Sequence, residues 1–458
     1  MKKNVKLFGR TVLMLLAISA CEKDNLDEDP IPVPDSKLLY NEMIKSYNNE
    51  MVLKWDNAIS LAIDNLSPPP PESRAYAMVT LAMHDALNNV VPKYETYALD
   101  NSAVDLEDVS KKVVSQIADA AVSQAAHDVL VIVAPDKKTD ADDLLVECLS
   151  KIENSGFKED GIRIGKEAAA AILEKRAKDL KPMFDTSDQG TLPGDYRSYM
   201  PWAVPNFPIW PENAVYAPAW GTVETFGITT GKQFRPGPPY PINSPEYASD
   251  YKEVLSMGCN ECPNRTQEQL DMGAFFIENS PSAMNRIAKS FAVKEKLNGF
   301  KTARLLALTH MVLADTHISI FDAKYFYNSW RPITAVRQGD NDGNDNTAGD
   351  PNWMIPQRPE IRPTPPTPAY PSSHAANGRA AAELFKLFFG KDKKLFTVES
   401  ISLPGTKRNY TSFSQLASEI SLSRIYIGYH FRQDIIEGEK MGRQLAEFVY
   451  HNNLRELK

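Results

Sequence analysis

Lys324-Tyr325-Phe326-Tyr327-Asn328-Ser329-Trp330-Arg331-Pro332 closes a long helical stretch that begins at Thr302. Two cations seven residues apart on one helix lie only about 20° from superposition, so both can turn toward one site. Alone, the pair is better read as a solvated face. A second string, Pro371-Ser372-Ser373-His374, precedes the alanine-rich helix Ala375–Phe389. Its serines occupy cap positions, where the first backbone N–H groups point outward at an anion. Capping explains the serines but not His374. The third string is Ser423-Arg424-Ile425-Tyr426-Ile427-Gly428-Tyr429-His430-Phe431-Arg432-Gln433-Asp434. Here His430 and Asp434 stand at i and i+4, where a carboxylate can fix the imidazole tautomer and make its outward nitrogen a better ligand or nucleophile. A purely structural pair is the plainer alternative.

Outward from these strings the pattern is helical. Apolar residues recur at helical spacing over Leu38–Leu66, Arg74–Val90, Val109–Val133, Asp140–Ile152 and Gly161–Leu180, then over Thr266–Ile277, Pro281–Asn298, Thr302–Tyr327, Ala375–Phe389 and Ser412–His451, the last broken near Gly428. Few segments alternate with period two, which predicts an all-α helical bundle. The 33 prolines outnumber the 22 glycines and concentrate in two loops, 181–245 and 340–371, predicting stiff ordered connections. The first loop carries Trp202, Trp210 and Trp220, which suit a channel lining or an anchor. Four segments follow: residues 1–20 as an export signal, 21–37 as an acidic tether, 38–300 as an N-terminal helical region and 301–458 as a C-terminal helical bundle that carries all three strings.

With 51 basic and 59 acidic residues the net charge is −8. Without the four basic residues ahead of Cys21 it is −12. That excludes a broad basic footprint for nucleic acid. An anionic substrate must instead be held by a local cluster of cations. Lys2, Lys3, Lys6 and Arg10, the apolar run Thr11–Ala17 and the ending Ile18-Ser19-Ala20-Cys21 read as an export signal that resembles the lipobox of bacterial lipoproteins, with Cys21 lipidated. The resemblance implies an outer-membrane lipid anchor, on the periplasmic face or the cell surface. Cys259 and Cys262, three apart, are read as a local disulfide suited to an oxidising compartment. No second pair completes a zinc site, since Cys148 stands alone.

The three strings, in their order, resemble the signature of the phosphatidic acid phosphatase type 2 and vanadium-dependent haloperoxidase superfamily: K-x6-R-P, then P-S-G-H, then S-R-x5-H-x3-D. The text from Ala323 to Arg337 and from Pro368 to Ser372 is most similar to the larger haloperoxidase branch. The resemblance implies a helical bundle in which Lys324, Arg331 and Arg424 bind the equatorial oxygens of vanadate or phosphate, with the Ser372 hydroxyl and the Ser373 backbone N–H as further donors. His430 would be the axial vanadium ligand, or the nucleophile of a phosphatase. Asp434 would orient it, His374 would act as acid–base group, and Lys324 would assist catalysis. Hydrogen peroxide and a halide would then be the substrates and vanadate the cofactor. The alternative is a phosphomonoesterase that forms a phosphohistidine, acts on a phosphate ester and needs no cofactor. A non-catalytic glycan-binding lipoprotein is a third reading, but it leaves the gathered cations and histidines without a use.

Two departures from the signature carry expectations. Ser373 stands where the family has glycine; a positive φ there would cost about 1 kcal/mol and crowd the oxyanion, so Ser373→Gly would tighten vanadate binding. Thr367, seven residues before His374, stands where the resemblance places an aromatic residue in chloroperoxidases and histidine in many bromoperoxidases, which argues against chloride oxidation. His310 and His317 with Asp315, and His84 with Asp85, are read as core or supporting groups rather than zinc ligands.

Overall fold

The structure, a computed structural model, describes residues 42–64, 68–100, 106, 109–153, 156–186, 190–198 and 214–457. The lipobox cysteine Cys21, the acidic tether, Trp202 and Trp210 lie outside the described residues. Thirteen α-helices of six residues or more are given in full among the described residues: α1 Glu50–Ile63, α2 Pro69–Val90, α3 Lys111–Val133, α4 Lys138–Ser150, α5 Gly156–Lys175, α6 Pro245–Met257, α7 Gln267–Phe275, α8 Ser280–Lys294, α9 Gly299–Tyr327, α10 Pro332–Arg337, α11 Ser373–Phe389, α12 Phe413–Tyr426 and α13 Arg432–Asn452. Two antiparallel pairs, β1 Phe184–Thr186 with β2 Ala214–Tyr216 and β3 Lys393–Glu399 with β4 Lys407–Ser412, are the strands among the described residues. The architecture is the all-α bundle that the periodicity implies.

Helix α9 is the axis. Its 29 residues span ~43 Å, and it is buried nearly all round, from Leu305 and Leu306 to Ile320 and Ala323. A helix apolar on every face belongs in the centre of a bundle. Its last turn carries Lys324 into the interior. Beside it, α11 and α13 approach so closely that a Cβ at Gly438 would lie 2.7 Å from the Ser372 carbonyl oxygen, and one at Gly442 would lie 2.1 Å from that of Ala376. Glycine is required at both positions because backbone, not a yielding side chain, fills the space. This contact seats the start of α11 against the start of α13.

Loops are tied down by buried polar groups. The Asp315 carboxylate, within α9, accepts the backbone N–H groups of Phe226 (2.5 Å), Gly227 (2.6 Å) and Ile228 (2.9 Å). Arg176 donates to the carbonyls of Glu224 (2.5 Å) and Thr225 (3.2 Å) while lying 3.6 Å over the Phe226 ring. Asp315 is thus a loop anchor. His310 stacks on Tyr76 at 4.2 Å and bonds Asn285 at 2.8 Å, a core role. Asp85 likewise accepts from Tyr97, Ala98 and Leu99 N–H groups. Cys259 and Cys262 form a disulfide, and Cys148 is buried and free.

Three features depart from the sequence reading. Helix α6 begins inside proline-rich text, because Ser244 caps it by accepting from Tyr247 N and Pro245 needs no N–H at the first position. Lys393–Glu399 alternates as a strand, burying Phe396 and Val398 against its hairpin partner. Arg331 is not on the same helix as Lys324. Asn328 ends α9 in the left-handed conformation (φ 50°), and Arg331 becomes the N-cap of α10, whose first residue is Pro332.

A group of buried carboxyls gives a pH test of the fold. Burial pushes Glu72 up to about 7 and Asp56 up to about 6. Glu72 accepts from Asn279 Nδ2 (2.6 Å) and from the N–H and hydroxyl of Ser282. Folded values above unfolded ones give a contribution that is full below about pH 4 and lost as pH rises through about 6 to 7. The melting midpoint is therefore expected to be a few degrees lower at pH 8 than at pH 5, with Glu72 accounting for at most about 3 kcal/mol of that loss. In Glu72→Gln the slope of midpoint against pH should flatten, as measured by calorimetry; an unchanged slope would show that Glu72 is not the group titrating.

Candidate active site

Lys324, 1% exposed, donates from Nζ to the carbonyl oxygens of Pro368 (2.6 Å) and Ala369 (2.7 Å). Arg331 reaches the same place from the α9–α10 turn. Its Nε donates to the Thr367 carbonyl (2.8 Å), Nη2 to Thr367 Oγ1 (2.7 Å) and Nη1 to the Tyr429 carbonyl (3.1 Å). Thr367 therefore acts as a clamp on Arg331, a role that its position in the string did not disclose. Arg424, on the last turn of α12, is fully buried and donates through Nη2 to the Phe276 carbonyl (2.8 Å) and through Nε to Ser423 Oγ (3.0 Å). Its Nη1 is buried with no hydrogen-bond partner among the described residues.

His430 stands in the turn between α12 and α13. Gly428 makes that turn possible: its φ is +71°, and a Cβ would lie 2.6 Å from the Gly258 carbonyl oxygen. His430 Nδ1 is 2.9 Å from Asp434 Oδ2, which also accepts the Phe431 N–H at 3.1 Å. On the other side Nε2 lies 3.1 Å from Arg331 Nη1. A guanidinium nitrogen can only donate, so Nε2 must be the acceptor and Nδ1 must carry the proton. Burial, then the charges of Arg331, Lys324 and Arg424, pushes the imidazole well below its ordinary value and keeps it neutral. The result is a fixed tautomer with a lone pair on Nε2.

The serines complete the inner end. Ser372 is the N-cap of α11 but makes no side-chain cap bond. Its N–H donates to the Asp434 carbonyl (2.9 Å), and its Oγ is buried without a partner among the described residues. Ser373 opens the helix, where its N–H has no intrahelical acceptor. Its φ is not positive, so the expected strain is absent and Ser373→Gly has none to release. A helical N1 residue needs no glycine. His374 Nε2 lies 3.1 Å from the Glu278 carbonyl, and burial, then Arg424, depresses its pKa well below the ordinary value.

Arg331, Arg424, Ser373, His374 and His430 all line one cavity of about 460 Å³, with His317 and Thr367 also in its wall. Lys324, Ser372 and Asp434 do not line that cavity; among the described residues the two buried guanidiniums that do, Arg331 and Arg424, meet no carboxylate in its wall, and burial raises Asp434 to about 7 against the pull of Lys324 and Arg331. Uncompensated buried positive charge is costly. An anion with several oxygens would neutralise it and would satisfy Arg424 Nη1 and Ser372 Oγ. Among the described residues no group of three or more histidine, cysteine, aspartate or glutamate side chains could hold a metal cation. The chemistry of the donor set is that of an oxyanion cradle with one nitrogen ligand.

Residues 304–457 match the family model described as the VCPO second helical-bundle domain. That match covers about a third of the chain and contains all three strings, from Lys324 to Asp434. It is 23% identical to vanadium chloroperoxidase of Curvularia inaequalis, over 88% of this chain and 81% of that protein. Among solved structures it is similar to a bacterial vanadium-dependent iodoperoxidase, with a TM-score of 0.70 and 23% identity, covering 90% of this chain and 98% of that one. It is also similar to a bacterial vanadium-dependent chloroperoxidase in its apo form, with a TM-score of 0.64 and 16% identity over 86% and 97% of the two chains. These likenesses show a shared helical-bundle fold, and a fold alone does not fix the chemistry that it carries.

Ser372→Ala separates a cradle from a capped helix. Removing an unpartnered buried hydroxyl should leave the ligand-free melting midpoint equal or slightly higher. Oxyanion affinity should fall by about tenfold, the value of one charge-assisted hydrogen bond. Calorimetry with orthovanadate reads both; a lower midpoint with unchanged affinity would assign Ser372 to the fold alone.

Proposed function

We propose that this protein is a vanadate-dependent haloperoxidase that oxidises a halide with hydrogen peroxide. The observation that carries the reading is the pairing of a neutral His430, whose Nε2 is an acceptor held at the cavity wall by Arg331 Nη1 and would pass to an oxyanion's central atom, with buried oxyanion donors that have no partner among the described residues. Vanadate suits this donor set. His430 would hold it through Nε2, with Lys324, Arg331, Arg424, Ser372 Oγ and the Ser373 N–H on its oxygens. When bound it supplies a Lewis acid that activates peroxide toward halide.

The chain's own residues do the rest. Asp434 holds the His430 tautomer and so keeps a nitrogen lone pair, rather than an N–H, toward the cofactor. Arg331, clamped by Thr367 through Nε and Nη2, and Arg424, bound to carbonyls at the end of α7, are fixed in the ground state, and only Arg331 Nη1 would turn from His430 Nε2 to the oxyanion; such preorganised donors are the condition for electrostatic stabilisation. Lys324 gives two N–H groups to the Pro368 and Ala369 carbonyls, and when protonated would keep a third for an oxygen of the bound anion. The His374 ring, neutral and fixed through Nε2 on the Glu278 carbonyl, can take and return a proton at Nδ1. Thr367 in place of a bulky aromatic supports an easily oxidised halide, iodide or bromide, over chloride.

Titration with orthovanadate tests the cradle. Near-stoichiometric binding that phosphate competes away is expected, and no binding would remove the basis of the reading. Residues 1–21 support the further proposal of export and lipid anchoring through Cys21, for which mass spectrometry of the mature N-terminus is the check: an unmodified Cys21 would end it.

A further inference from the structure

The cavity is larger than its ion-binding end requires. Its volume of about 460 Å³ lies within the roughly 300–1,000 Å³ of small-molecule sites. A halide or peroxide occupies space comparable to one or two waters, about 30 Å³ each, so most of the volume is left over. That remainder is walled by Pro69, Pro70, Pro363 and Pro366 together with the rings of Tyr216 and Phe321. Proline walls are stiff, apolar and without N–H donors, which suits the face of a planar ring better than a hydrated ion.

Arg362 stands on the cavity wall with its side chain exposed. Among the described residues no hydrogen bond or ion pair holds its guanidinium, in contrast to Arg331 and Arg424 deeper in. Its backbone is nevertheless fixed, since its carbonyl accepts the Tyr429 hydroxyl and Pro363 follows it. Its charge is felt inside, where it helps to keep His374 neutral. No carboxylate among the described residues lines the cavity to attract it inward. A cation on a fixed backbone, its donors without a partner among the described residues and beside an apolar slot, is a recognition element for a carboxylate attached to a ring.

We propose that Arg362 and the proline-walled outer cavity bind a carboxylate-bearing phenol, which is halogenated there. This rests on the haloperoxidase reading, because the hypohalous acid comes from that reaction. The ring π pair attacks the halogen, the carbon–halogen bond forms as the halogen–oxygen bond breaks, and the departing hydroxide takes the ring proton as water. The ring is oxidised by two electrons and the halogen reduced by the same two.

Calorimetry of the full protein with para-hydroxybenzoate and the neutral para-cresol tests this, each with and without saturating orthovanadate. Orthovanadate alone is titrated first, so a missing cofactor site is seen separately from a missing acceptor site. In Arg362→Gln, para-hydroxybenzoate affinity should fall about tenfold, as for loss of one charge-assisted contact, while para-cresol changes less than about twofold. Arg362→Lys should recover part of the loss. Equal weakening of both probes, unchanged para-hydroxybenzoate affinity, or no binding to the unmodified protein would overturn the proposal.

Discussion

His430→Ala is expected to abolish vanadate-dependent halide oxidation, by about 10³-fold or more, and to weaken orthovanadate binding in parallel. The size follows from what the ring alone provides. Nε2 is an acceptor because Arg331 Nη1 can only donate to it, and Nδ1 is a donor because Asp434 lies 2.9 Å away. The three cations and both serine donors remain in the variant, but they supply no lone pair. Asp434 keeps its bond from the Phe431 N–H, so the α13 start should stay in place and the melting midpoint should change little. Stopped-time assays of triiodide formation, beside a calorimetric titration, would check the result. Activity within tenfold of the unmodified protein would show that His430 holds nothing.

Arg424→Lys should cost about 10²-fold in halide oxidation, although charge is conserved. The guanidinium spans two tasks that an ammonium cannot combine: Nη2 and Nε are bound to the Phe276 carbonyl and Ser423 Oγ, while Nη1 has no partner among the described residues. A lysine at this position can serve the carbonyl or the oxyanion, not both. Keeping the charge limits the folding cost, so the loss should fall on oxyanion affinity and rate rather than on the melting midpoint. A variant with full activity and a lowered midpoint would place Arg424 in the scaffold instead.

The residues gathered in the candidate site are legible in the sequence because they sit in three short strings, each with a local reason for its spacing. Ser372 and Ser373 fall at a helix start, and His430 and Asp434 bracket a turn into the next helix. What could not be read is what depends on residues far apart in the chain. Arg331 reaches His430 because Asn328 and Pro332 stop one helix and start another, and because Thr367, 36 residues on, clamps it. The Glu278 carbonyl that holds His374 comes from a loop 96 residues away. Arg362 gave no signal as one arginine among prolines; only the cavity shows that its guanidinium stands at the wall without a partner among the described residues. The fold was legible where alanine and leucine periodicity is strong, as in α3 and α9. It is not legible at α6, where the proline that opens the helix also suits a loop, or in the β3–β4 hairpin, where buried Phe396 and Val398 alternate with exposed residues.

The most direct measurement is an assay of one purified sample for iodide and bromide oxidation by hydrogen peroxide, with and without added orthovanadate, beside hydrolysis of para-nitrophenyl phosphate. The expected result is halide oxidation that appears only with orthovanadate and is suppressed by excess phosphate. Phosphate ester hydrolysis without any vanadate-dependent halide oxidation would contradict it, and would assign the same cradle to a phosphohistidine mechanism.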